Sequence, residues 1–188
     1  MRSKVFISVI VVVMFVIIVI FTTSEEDKVA TFESQKVMTS RAIDVARDFK
    51  TEQFTIDYDE SSDYLGYDSL PDRRKQAEEK YSMYVTESHM TKILMTALDT
   101  IAPNLAQDSK SHLSVKDISF EIGNMETESE VSLDYDIEIE FERINQEGKK
   151  EIISNFGQIR VIKTDEGWKV NKDIQRMEGL HEVRKQFN

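Results

Sequence analysis

Five carboxylates recur at every second position of one stretch: Asp134, Asp136, Glu138, Glu140 and Glu142. Clustered acids can serve general acid–base chemistry or calcium binding, so this row is the first place to look for function. Alternation at period two is the pattern of a strand, whose successive side chains point to opposite faces. Same-face neighbours then stand roughly 7 Å apart, too spread for the converging loop oxygens that calcium takes. Three uses remain. The row can be a solvated face paired in part with Lys149, Lys150, Arg160 and Lys169, a charge barrier against sheet stacking, or a surface for a basic partner.

The other chemistry-bearing residues make no constellation. His89, His112 and His181 have no second metal ligand at helical spacing. His89 reads as lying just ahead of a helix and capping it, and His181 stands beside Glu182 in a polar tail. There is no cysteine, which excludes disulfides, thiolate nucleophiles and Cys-ligated zinc. Gly66, Gly123, Gly148, Gly157 and Gly167 each read as a turn or bulge, so no phosphate-cradling loop is present, and no Gly-x-Ser-x-Gly elbow occurs. No catalytic residue, cofactor or metal is expected, and the chain reads as non-enzymatic. The basic run Arg73, Arg74 and Lys75 is either a solvated helix face or a docking contact for an acidic surface, anionic lipid or wall polymer. The candidate partner surface is therefore Arg73, Arg74, Asp134, Asp136, Glu138 and Glu140.

These residues need elements to hold them. The opposite parity of the acidic strand is Val131, Leu133, Tyr135, Ile137, Ile139 and Phe141, one side of a core. Around it the spacing predicts a strand from Val115 through Ile118, Phe120 and Ile122 to Gly123 and Asn124. It predicts another over Glu151–Lys163, with Gly157 as a bulge that switches faces, and a last over Trp168, Val170 and Ile174. Ahead of the strands, Met38, Ala42, Val45, Ala46 and Phe49 make the apolar stripe of a helix ending near Thr51, with Arg41, Asp44, Arg47, Asp48 and Lys50 opposite. Ser69, Leu70, Pro71 and Asp72 open a charge-rich helix that reaches Tyr81 and Tyr84. Ile93, Leu94, Ala97, Leu98 and Ile101 make a third, which Pro103 stops, and Gln107–Ser114 reads as a polar connector. Met83, Met90 and Met95 read as core filler.

The sequence holds 188 residues with 40% hydrophobic content and a formal net charge of −11. The acidic balance argues against direct contact with nucleic acid, which needs a clustered basic surface. Residues 5–21 are apolar except for Ser8, follow Arg2 and Lys4, and precede Glu25, Glu26 and Asp27. As a helix this run spans roughly 25 Å, enough for a short single-pass anchor through Val5, Ile10, Val13, Phe15, Ile18 and Phe21. The positive flank predicts a cytoplasmic N-terminus and an extracytoplasmic remainder. A cleaved signal peptide is the rival, disfavoured by the length of the run and by Thr22, Thr23 and Ser24 at the would-be cleavage site. The expected plan is a cytoplasmic tail at 1–4, an anchor at 5–21, a linker at 22–29, an α+β domain at 30–174 and a polar tail at 175–188. In that domain about three helices cover a bent antiparallel sheet of about four strands.

Three stretches carry a resemblance. They are the anchor running straight into a helix, the phrase Ala46-Arg47-Asp48-Phe49-Lys50 leading to Gln53-Phe54-Thr55-Ile56 and then Asp72-Arg73-Arg74, and the closing Gly167-Trp168-Lys169-Val170. Over residues 30–174 the order of elements resembles the nuclear transport factor two-like (cystatin-like) fold. More narrowly it resembles the membrane-anchored TcpC and VirB-eight-like subunits of Gram-positive conjugation (type IV secretion) machines. The resemblance implies a scaffold that oligomerises with itself and contacts other channel subunits. It departs from larger members in its single domain and very short cytoplasmic tail. A membrane-tethered protein that binds a ligand or wall polymer is the alternative, and an enzyme working in the cone of the sheet is the third reading. A pocket lined by a buried Asp or His with a raised or lowered pKa would favour the enzyme, and a filled cone would favour the scaffold.

Overall fold

The computed structural model describes residues 37–60, 70–144 and 149–176. The chain divides into two compact units, Met1–Ser40 and Arg41–Asn188. Of the first, residues 37–40 are described, as helix. The anchor expected at residues 5–21 lies outside the described residues. Among those described, no helix is long and apolar enough to cross a membrane.

Four strands form one antiparallel sheet in the order β1-β2-β3-β4: β1 Ser111–Thr127, β2 Glu130–Arg143, β3 Lys150–Thr164 and β4 Gly167–Gln175. The acidic strand of the sequence is β2, and it is central. Its odd-numbered side chains from Val131 to Phe141 are all buried. Register carries this face across the sheet: Val131 opposes Val161, Leu133 opposes Ile159 and Phe141 opposes Leu113. Gly157 makes no bulge against β2 and does not switch faces. Ile153, Ile159 and Val161 stay on the inner face, while Ile152, Phe156 and Ile162 share the outer face with the acids. The glycine is there because it lies opposite Tyr135. A Cβ at this position would sit 2.6 Å from the Tyr135 hydroxyl and 2.5 Å from the Ile174 carbonyl oxygen, inside any tolerable contact.

Helices supply the cover. Helix α1, residues 37–54, turns Ala42, Ala46, Phe49 and Phe54 into the core. It runs past Thr51 as far as Phe54, and Ile56 then pairs with Leu113 on the edge of β1, each backbone N–H donating to the other carbonyl at 2.9 Å. Helix α2, Leu70–Tyr81, buries only Ala77 and Tyr81 of its described side chains. Val85 after it caps the edge of β4, where Thr86 N–H donates to the Val170 carbonyl. Both edges of the sheet are thus covered at one point by the chain leaving a helix.

The helix expected through Ile93–Ile101 is two helices. Helix α3, Glu87–Thr96, ends at Ala97, whose φ of 56° is left-handed, and a short turn, Leu98–Thr100, leads to α4, Ile101–Ser109. Pro103 begins rather than stops a helix, because first-turn N–H groups have no partner for proline to remove. The expected connector is α4 and the start of β1, joined at Lys110. Met90 is buried, but Met83 and Met95 are exposed and fill no core. Among the described residues the domain is α+β, with four helices in place of about three.

Candidate functional site

Lys50 reads from the sequence as part of the polar face of α1. It is buried instead, and so is Asp173 of β4, with both side chains 0% exposed. The Lys50 ammonium donates to Asp173 Oδ2 at 2.5 Å, to Gln53 Oε1 at 3.0 Å and to Gln175 Oε1 at 3.4 Å. Those three bonds use all its protons. The ammonium also lies 4.5 Å from the centre of the Tyr135 ring, a cation–π distance. Tyr135 in turn donates its hydroxyl to Asp173 Oδ1 at 3.2 Å. Burial pulls the Lys50 pKa down while Asp173 pushes it back up. Burial, then the Asp173 carboxylate, hold Tyr135 protonated far above its ordinary range. The lysine has no spare proton donor and each carboxylate oxygen already accepts, while the buried Gln175 amide nitrogen has no hydrogen-bond partner.

His89 stands beside it, 2% exposed, with its ring edge-on to Phe49 at 6.0 Å. It does not cap the helix with its side chain. Thr86 is the cap, accepting from the His89 backbone N–H at 3.2 Å. Neither ring nitrogen has a hydrogen-bond partner. Desolvation lowers its pKa to about 4, with Asp173 opposing and Lys50 adding to the drop. It is therefore neutral at ordinary pH. Along the inner face of the sheet and α1, Phe49, Phe54, Leu113, Leu133, Tyr135, Ile137, Ile139 and Phe141 are fully buried. Among the described residues, the inner face of the sheet is packed with the protein's own side chains.

The expected partner residues part company. Arg73 donates in a fork to both oxygens of Asp99 and to the Leu94 carbonyl at 2.9 Å, fastening α2 to the turn after α3. It is engaged inside the fold. Arg74 stays at the surface, paired with Glu78 at 2.6 Å. Asp134, Asp136, Glu138 and Glu140 all stand on the outer face of β2. Glu138 pairs with Lys116 at 3.1 Å and Glu140 with Lys150 at 2.7 Å. Asp134 accepts from the Gln158 amide at 3.0 Å. No described group of three or more His, Asp or Glu could hold a metal. The described surface has an open groove of about 530 Å³, lined by Arg74, Glu78, Val85, Thr86, Met90 and Lys169 among others.

The sequence carried no signal for the Lys50–Asp173 pair, because its partners are 123 residues apart. The one legible trace was Lys50 directly beside Phe49, at the border of the apolar stripe.

No protein-family pattern matches the sequence, and no curated protein matches it. Solved structures do match in shape. Among them is CagV, a VirB8 homologue of the type IV secretion system of Helicobacter pylori, at 17% identity and a TM-score of 0.46, with 71% of this chain and 95% of that one covered. A periplasmic fragment of TraM matches at 11% identity and a TM-score of 0.45, covering 73% and 96%. The Kfla4162 protein of Kribbella flavida matches at 12% and 0.43, covering 79% and 98%.

Proposed function

We propose that this chain is a membrane-tethered, non-enzymatic assembly subunit that works by protein–protein contact outside the cytoplasm, as a component of a conjugative type IV secretion channel. The observation that carries the reading is the filled interior. A pocket protein or an enzyme of this plan needs an opening on the concave side of its sheet. Here that side is packed with aromatic and aliphatic side chains, and Lys50, Asp173 and Tyr135 are spent on one another. What the domain has to offer a partner is on its outside. The apolar run at residues 5–21, with Arg2 and Lys4 before it, supports the tether and its direction. The order of motifs supports the VirB-eight-like assignment.

The test is co-purification of the tagged full chain from detergent-solubilised membranes of its native host. Recovery of secretion-channel subunits is the expected result. Recovery of the chain with no channel component would sink the assignment. A second reading, a tethered binder of a ligand or wall polymer, draws on the groove beside Arg74 and Lys169. It requires that reversing Arg74 and Lys169 to Glu abolish retention on isolated wall material.

A further inference from the structure

The outer face of the sheet has a charge pattern that the sequence does not display. Down its middle, β3 turns Ile152, Phe156 and Ile162 outward, with Ser154, Gln158 and Arg160 on the positions between them. Ile152 is 46% exposed and Phe156 47%, and Ile174 on β4, diagonal to Phe156, is 46% exposed. On one flank of this apolar row β2 presents Asp134 and Asp136. On the other flank stand Lys172, opposite Arg160, and Arg176, whose guanidinium lies 5.5 Å from the Phe156 ring centre. Among the described residues Asp136, Lys172 and Arg176 form no ion pair. Phe156 lies between Asp136 and Arg176, whose backbone positions are two strand spacings apart, roughly 10 Å.

A surface that is acidic on one side of an apolar line and basic on the other is complementary to itself. We propose that this face binds the same face of a second copy, about a twofold axis running along β3. A twofold interface brings one patch against itself. Rotation about an axis along β3 exchanges its flanks, so Asp136 of each copy meets Arg176 of the other, and Asp134 lies level with Ile174 and diagonal to Lys172. Phe156 and Ile152 meet their own counterparts on the axis. An axis across the strands would instead set the β2 acids against themselves. Stacked sheets cross at roughly 30°, so contact is confined to the centre, where Phe156 and Ile174 lie. The two basic residues on the axis are each tied to an acid of their own β2, Lys150 to Glu140 at 2.7 Å and Arg160 to Glu130 at 3.0 Å. The row of carboxylates that would block stacking on another acidic sheet thus selects this one arrangement. The proposal rests on the assembly reading for its purpose, and on the outer face alone for its geometry.

The absence of native cysteine makes the test clean. Stacked sheets stand roughly 10 Å apart, beyond the reach of a disulfide, so a short bis-maleimide is the bridge. In the purified full chain, solubilised in detergent, Ser154→Cys on the outer side of β3 should be bridged to a second copy. Ser119→Cys, on the same face of β1 but two strands from the axis, should not. Asp136→Arg and Arg176→Asp should each weaken the dimer at least tenfold by sedimentation, and the double reversal should restore it. The reversals lie on exposed positions, and an unchanged thermal transition checks that each variant is folded. Equal bridging at both cysteines, no bridging at Ser154→Cys, or no rescue by the double reversal overturns the proposal. Bridging of Ser154→Cys to a different protein in native membranes, with none to itself, also overturns it while leaving the assembly reading in place.

Discussion

At the scale of single residues, the domain rests on charges placed where charges are costly. Lys50 and Asp173 are withdrawn from water together, and either one left alone would be an uncompensated buried ion. Lys50→Met is expected to cost about 3–5 kcal/mol, with much of the loss recovered when Asp173→Leu is added, measured by urea denaturation of both variants. A single variant as stable as the parent would show that the pair does not lock α1 to β4. His89 makes a separate, pH-dependent prediction. The unfolded chain takes up a proton near pH 6.5 that the folded chain refuses until about pH 4. Stability is therefore full above pH 6.5 and falls as pH drops toward 4, by about 3 kcal/mol in all. Replacing His89 with Leu should flatten that part of the stability–pH curve, while the acid loss caused by carboxylates persists below it.

At the scale of elements, the ends of helices decide where the chain can turn. Ala97 closes α3 with a φ of 56°, a conformation glycine adopts freely and alanine does not. Ala97→Gly is expected to raise stability by about 0.5–1 kcal/mol, read as a higher midpoint in thermal denaturation. A lower midpoint would mean that the alanine methyl contributes more by packing than it costs in strain. Thr86 joins two elements with one hydroxyl, capping α3 and contacting Asn171 of β4 at 3.0 Å. Its loss to Ala is expected to cost about 1–2 kcal/mol, and a change below 0.3 kcal/mol would remove it from the joint. Helix periods and the strand alternation were readable locally. The break at Ala97 was not, because the stripe of Ile93, Leu94, Ala97, Leu98 and Ile101 continues through it.

At the scale of the whole molecule, the inner and outer sides of the sheet differ in what they present. The inner side is closed and holds helices, and the outer side presents an apolar line between opposed charges. If the chain is tethered as proposed, protease added to intact protoplasts should remove the domain and leave only a short protected fragment. Survival of the full-length chain would reverse the orientation inferred from Arg2 and Lys4.

The sequence alone determined the class of fold and the inner face of β2, because period-two alternation from Val131 to Phe141 has only one consistent burial. It also set the carboxylates of that strand on the side away from the core. Tertiary structure decided the rest. Lys50 found Asp173 across 123 residues, a contact no local pattern can announce. Arg73 closed on Asp99 and was engaged within the fold. The outer face acquired its opposed flanks only when strand register laid Phe156 beside Asp136 and brought Lys172 and Arg176 to the far side. Register is a property of paired strands, and charge complementarity across a sheet exists only once the strands are paired.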